Sequence, residues 1–321
     1  MSKKPAKSPS FKVLLICGGG YEEHDISLMS ADYIEQNLEL AGHQVERLVL
    51  NQKNVFTPIL DHSFDCLVPC IHGPPGEDGQ IQQFFDQHQF PYIGCGAKTS
   101  RLAFDKALAN EQFAAIDVPH TPFLVTENWQ KDQKQFQDFF QKHQDVFVKA
   151  ASQGSSVGCY HVKKALDLPQ AVNNAFQFSS KVLIEKTVKG RELECSVYFY
   201  QGKLCVTDPG EIRLPQNVFY DFDEKYNEKS RTQTFIRAEN ISEHVKKTLR
   251  HYCQKIYAGF NVRHLARMDF FLTDKQEILI NEINTFPGMT KISLFPKMLE
   301  ATGLSFADYL NDILNDAIKN S

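Results

Sequence analysis

Apart from Lys12, the residues from Phe11 to Cys17 are all apolar, which predicts a strand buried on both faces. Gly18, Gly19 and Gly20 interrupt it. Leu28, Ala31, Ile34 and Leu38 then recur at helical spacing and predict a helix over 27–40, closed by Gly42. Strands follow over 45–50 and 64–71, a helix opens at Gln80, and a short strand sits at Tyr92 and Ile93. Strand, loop and helix in alternation predict a parallel sheet with helices on its faces.

After residue 96 the pattern changes. A polar helix is predicted over 136–144, a strand over 146–151, a helix over 165–178 and a strand over 182–188. The last third carries longer alternating strands at 193–200, 203–207, 268–272 and 277–283, with helices over 241–258 and 306–318. Residues 219–231 are polar and aromatic without a period. Boundaries are expected near Gly96 and Gly190, and no internal repeat is found.

Composition narrows the picture by exclusion. Of 321 residues, 42% are apolar and 23% charged, which fits a folded soluble chain and sets aside disorder, collagen and coiled coil. With 35 basic against 39 acidic residues, the net charge of -4 offers no electrostatic case for nucleic acid or an anionic membrane. No apolar run approaches the roughly 20 residues needed to span a bilayer. The basic start, residues 1–10, leads into too short an apolar stretch for a signal peptide and reads as a disordered leader. Eight cysteines without a CxxC pair argue against a disulfide framework or a zinc site and favour the cytoplasm.

The candidate chemistry begins near the C-terminus. Arg267 and Asp269 are two apart on one predicted strand, Glu282 and Asn284 two apart on the next, so each pair shares a face. If the strands pair through the turn at Thr273, Asp274 and Lys275, the faces converge. Two carboxylates and an amide oxygen suit Mg2+ held jointly with phosphates. The arginine suits a phosphoryl group or a developing oxyanion. A solvated sheet face shows the same alternation, so spacing alone leaves both readings open.

Four loops add to this. Gly154, Ser155, Ser156 and Gly158 follow a strand carrying Lys149, and small residues let backbone approach a phosphate; an ordinary turn has the same composition. The glycines at 18–20 do not complete GxGxxG, because Glu23 stands at the last position, where it repels pyrophosphate but attracts an ammonium. His72 to Gly79 follows a strand as binding loops of parallel sheets do, although a lone histidine is more often structural. Residues 219–226 read either as a water-excluding lid or as an exposed loop.

In order along the chain, these pieces resemble the D-alanine–D-alanine ligases of the ATP-grasp superfamily. Glu23-His24-Asp25-Ile26-Ser27 is similar to that family's EHEVS motif, and His72 with Gly76-Glu77-Asp78-Gly79 to its HGxxGEDG motif. Residues 154–158 match its GSSVG loop, Lys225-Tyr226 its lid pair, and residues 281–290 its NEINTxPGMT motif. The resemblance implies an α/β, three-domain ATP-grasp fold. Its parts would be an N-terminal parallel-sheet (Rossmann-like) substrate domain over 11–96, a central subdomain over 97–190, and a catalytic subdomain over 191–321 with a lid near 215–235.

It also implies a reaction. ATP would activate one D-alanine as an acylphosphate, and a second D-alanine would displace phosphate, for peptidoglycan precursors. Glu23, Ser155, Tyr226, Arg267 and Gly288 would be catalytic. His72, Ser293 and Leu294 would join Glu23, Arg267 and Gly288 in binding substrate. Lys106, Lys149, Ser155, Ser156, Glu185, Lys186, Val188, Glu192, Phe219, Lys225, Asn281 and Glu282 would hold ATP. Asp269, Glu282 and Asn284 would hold Mg2+ or Mn2+, two ions in all. A cytoplasmic homodimer without nucleic-acid or membrane partners is implied. A depsipeptide ligase using D-lactate would replace the Lys225-Tyr226 pair, and another ATP-grasp ligase need not keep Glu23 or Ser293. Ala150 after Lys149, Gln153 and Gln83 depart from the family's pattern and affect local loop geometry.

Overall fold

The computed structural model describes residues 9–19, 23–51, 55–213 and 232–320. Three strands, β1 (Lys12–Gly18), β2 (Gln44–Leu50) and β3 (Cys66–Cys70), form a parallel sheet in the order β2-β1-β3. The unbroken apolar run of β1 has a physical cause. Val13, Leu15 and Cys17 pack toward helix α1 (His24–Leu40), while Leu14 and Ile16 pack toward α2 (Gln80–Gln87). A central strand covered on both faces has no solvent side to leave polar. The predicted strand at residues 92 and 93 is a single bridge, Leu67 to Tyr92.

Helices α3 (Ala97–Phe104) and α4 (Lys106–Ala115) follow. Asp105 caps α4 by accepting from the amides of Ala107 and Leu108 at 3.0 and 3.2 Å. A second, antiparallel sheet contains β4 (Phe123–Thr126), β5 (Val146–Ala150), β6 (Cys159–Val162) and β7 (Val182–Lys186), in the order β4-β7-β5-β6. Helices α5 (Trp129–His143) and α6 (Leu168–Ala175) cover one face. Helix α5 starts seven residues before the apolar period announces it, because Asn128 caps it at the Lys131 amide, 3.2 Å away. The helix expected over 165–178 is split into a 3₁₀ turn at Ala165–Asp167 and the shorter α6, with proline in its first turn.

The third sheet is antiparallel and, among the described residues, holds β8 (Gly190–Tyr200), β9 (Lys203–Val206), β10 (Gly210–Arg213), β11 (Gln233–Phe235), β12 (Leu265–Thr273) and β13 (Ile278–Asn284). Its order is β11-β10-β8-β12-β13, with β9 beside β8. Helix α7 (Glu243–Gly259) packs on this sheet together with α3 and α4 through Ala103, Ala109, Phe113, Leu249 and Ile256. Helices α8 (Leu294–Glu300) and α9 (Phe306–Lys319) complete the chain. Tyr309, Ile313 and Leu314 of α9 share a core with Val13 and Leu15 of β1, so the last helix closes one face of the first sheet.

Candidate active site

Strands β12 and β13 pair antiparallel, with Arg267 opposite Asn284 and Asp269 opposite Glu282. The Arg267 guanidinium donates through Nε and Nη2 to both oxygens of Asp269, at 2.8 and 2.7 Å. Asn284 Nδ2 donates to Asp269 Oδ2 at 3.0 Å. On the other side of β12, β8 brings Glu194 opposite Asp269, and its Oε2 lies 3.2 Å from Arg267 Nε. The two carboxylates hold the arginine protonated far above any physiological pH, against the cost of its burial. A bulge between Asp269 and Phe270 shifts the register, so Asn281 as well as Glu282 faces the cavity beside these residues.

The N-terminal end of α1 supplies Glu23, whose carboxylate accepts from Ser155 Oγ. Gly73 and Gly154 cradle it: a Cβ on Gly73 would stand 2.9 Å from Glu23 Oε2, at a backbone φ of +64° that favours glycine anyway. Ser155 and Ser156 themselves hold φ values of 46° and 61°, a left-handed pair that turns the loop back toward Glu23. Glu77 sits among these groups and accepts from the Gly73 amide at 3.1 Å. Burial, then the charge of Glu23, pushes its pKa up to about 8.

Farther along the cavity, β5 alternates Val146, Val148 and Ala150 into the core, leaving Phe147 and Lys149 for the opposite face. Lys149 Nζ meets Glu185 Oε2 of β7 at 2.5 Å, and Asn110 Nδ2 of α4 donates to Glu185 Oε1 at 3.1 Å. Burial would discharge this lysine, and Glu185 overcomes it, raising the pKa. Lys106 Nζ donates to the Gln153 carbonyl at 2.5 Å, tying α4 to the glycine–serine loop.

A single cavity of about 900 Å³ joins these pieces, a volume in the range of small-molecule sites. Its lining includes Glu23, His72, Lys106, Lys149, Ser155, Ser156, Glu185, Lys186 and Val188 from the first two sheets and the segments that adjoin them, and Glu192 from β8 of the third. It also includes Arg267, Asp269, Asn281, Glu282, Asn284, Gly288, Ser293 and Leu294 from the third. Phe219, Lys225 and Tyr226, expected in the lid, lie outside the described residues. Sequence reasoning missed Glu194 and Asn110, which act across strand pairing and helix docking, and it gave Glu77 no role.

Among the described residues, no three His, Cys, Asp or Glu side chains are placed together to hold a metal. The available donors are the carboxylates of Asp269 and Glu282 and the Asn284 amide. Such a set fits a hard cation whose remaining ligands come from a polyphosphate and water.

Comparison with known proteins settles the family. Residues 112–315 match the family model described as D-ala D-ala ligase C-terminus, and residues 52–95 match D-ala D-ala ligase N-terminus. The chain belongs to the D-alanine–D-alanine ligase family. It is 43% identical over 324 residues to a D-alanine--D-alanine ligase of Vibrio parahaemolyticus, an alignment covering 95% of this chain and 98% of the relative. It is 45% identical over 325 residues to that of Tolumonas auensis, covering 96% and 98%. The crystal structure of D-alanyl-alanine synthetase A from Vibrio cholerae superposes with a TM-score of 0.88 at 39% identity, covering 97% of this chain and 99% of the other. The ATP-grasp architecture therefore holds for the chain as a whole.

Proposed function

We propose that this chain joins two D-alanines into D-alanyl-D-alanine at the expense of ATP, through an acylphosphate, for peptidoglycan precursors. One observation carries the reading. A single cavity sets Glu23 and Ser155 opposite Arg267, Asp269, Glu282 and Asn284, with Lys106 and Lys149 on the same lining. An ammonium-binding carboxylate beside a phosphate-binding cluster is what carboxylate activation of an amino acid requires.

In this reading Glu23 holds the ammonium of the first D-alanine, and His72 lies beside it. Its carboxylate oxygen attacks the γ-phosphorus of ATP and ADP leaves, so positioning and charge neutralisation supply most of the catalysis. Lys106, Lys149, Ser155 and Ser156 meet the phosphates; Glu185, Lys186, Val188 and Glu192 meet the base and ribose; Asn281 and Glu282 complete the site. Asp269, Glu282 and Asn284 would hold one or two Mg2+ or Mn2+ ions, whose chemistry is to neutralise the triphosphate. Ser293 and Leu294 seat the carboxylate of the second D-alanine. Its amine attacks the acylphosphate carbonyl, and Arg267 and the Gly288 N–H meet the tetrahedral oxyanion before phosphate departs. A glycine suits that position, since a Cβ there would stand 3.1 Å from Ser293 Oγ.

The same reading divides the chain into a substrate unit over 11–96, a nucleotide unit over 97–190 and a catalytic unit over 191–321. It places a homodimer in the cytoplasm, where ATP is made. Among the described residues no helix is long and apolar enough to cross a membrane. The test is ATP-dependent phosphate release across a panel of D- and L-amino acids and D-lactate. D-Alanine alone should support turnover near neutral pH. Equal turnover with D-lactate, or no D-alanine-dependent release, overturns the reading.

A further inference from the structure

Ser30 lies on α1, seven residues after Glu23, and is fully buried. Its hydroxyl has two partners. The Met289 amide donates to Ser30 Oγ at 3.2 Å, and His72 Nε2 lies 3.0 Å from the same oxygen. A hydroxyl that accepts from an amide still has one proton to give, and His72 Nε2 is within reach to take it. That direction pairs with the neutral tautomer that carries its proton on Nδ1. Burial favours the neutral form and holds the His72 pKa below the usual histidine range, with the Glu23 charge opposing it. The Phe286 backbone acts against that shift, and the His72 and Phe286 rings stand 6.5 Å apart. His72 and Ser30 thus grip the chain at Phe286 and at Met289, on either side of Pro287 and Gly288.

We infer that Ser30, acting through His72 and the Met289 amide, is a positioning residue that sets the Gly288 N–H for the oxyanion. The helix that begins at Glu23 then fixes both ends of the reacting unit: the ammonium of the first amino acid directly, and the oxyanion donor through this hydroxyl. The role rests on the proposed ligase reaction, in which Gly288 meets the tetrahedral centre. It makes His72 a hydrogen-bond partner of Ser30 that steadies the segment around Gly288.

The experiment measures dipeptide formation, the KM for ATP, and the affinity for a phosphinate analogue of the tetrahedral intermediate. Ser30→Ala should lower kcat about 30-fold and weaken the analogue by a similar factor, with the KM for ATP within about twofold of wild type. A merely structural role would lower thermal stability and leave both the analogue affinity and the kcat of the folded fraction intact. His72→Gln places an amide oxygen near the Nε2 position and should lose at least about fivefold less analogue affinity than His72→Ala, which should lose it as Ser30→Ala does. If Ser30→Ala does not fold, the two His72 variants decide. Wild-type kcat and analogue affinity in Ser30→Ala, or equal damage from His72→Gln and His72→Ala, overturns the inference. A wild-type protein that forms no dipeptide from D-alanine overturns the ligase reading itself, whatever the variants do.

Discussion

On one wall of the cavity, Arg267, Asp269, Glu282 and Asn284 stand on strands hydrogen-bonded along their length, with Glu194 on a third strand behind them. On the facing wall, Ser155 and Ser156 stand on a loop held by two left-handed residues, the Ser155–Glu23 bond and the Lys106–Gln153 bond. The first wall is prebuilt: Arg267 is already paired with Asp269 and Glu194, so in the proposed reaction little reorganisation would accompany phosphoryl transfer. The second is assembled from contacts that a phosphate or a substrate ammonium competes for. On the proposed roles, charge stabilisation would sit on rigid elements, and substrate capture where the backbone has room to adjust.

The strand wall should be the less tolerant of the two. Glu282→Ala removes a carboxylate that faces Arg267 and Lys149 and that would carry metal. Turnover with Mg2+ should fall by about a thousandfold or more, in line with the weight of metal and charge in phosphoryl transfer. Circular dichroism should show a folded protein. Normal Mg2+-dependent turnover would discard the metal assignment and remove the functional contrast between the walls.

The loop wall should give a smaller and more selective loss. Ser155→Ala deletes a charge-assisted bond to Glu23, of the kind that contributes about 1.5–3 kcal/mol. The kcat/KM for the first D-alanine should drop roughly ten- to a hundredfold, by more than the KM for ATP rises. A loss confined to ATP binding would move Ser155 wholly to the nucleotide side and weaken its link to Glu23.

The same contrast explains what the sequence made legible. The period-two spacing of Arg267 and Asp269, and of Glu282 and Asn284, survives into the structure because each strand has one buried face. Asn281 breaks that period and still reaches the cavity, since a bulge shows only in the pairing register. Glu194 is 75 residues before Asp269, and only sheet order brings them together. Ser30 stands four residues before Ile34, at the edge of the apolar stripe of α1, and its partners are two loops from elsewhere in the chain that helical spacing does not reveal. The helices at 97–115 escaped the apolar pattern because their buried faces rely on Ala103, Ala107, Ala109 and polar side chains such as Thr99 and Asn110. The first sheet was readable for the opposite reason: coverage on both faces left a continuous apolar run in β1.

Glu77 measures the field between the walls, because Glu23 on one side and Glu282 on the other both raise its pKa while Arg267 lowers it. Burial has the largest effect, and the pKa stands at about 8 against an ordinary carboxyl value of 4.5. The sign of the stability effect follows. Between 4.5 and about 8 the unfolded chain has released this proton and the folded chain retains it. The folded state binds more protons in that window, so stability falls as pH rises through it and levels off above. Glu77→Gln cannot ionise and removes this decline. Relative to wild type, its thermal midpoint should therefore rise from pH 5 to pH 8 by roughly 3–6 °C. A difference between the two proteins that stays flat across that window would mean Glu77 is already ionised near pH 5. Arg267 would then reach across the cavity more strongly than the carboxylates on either wall.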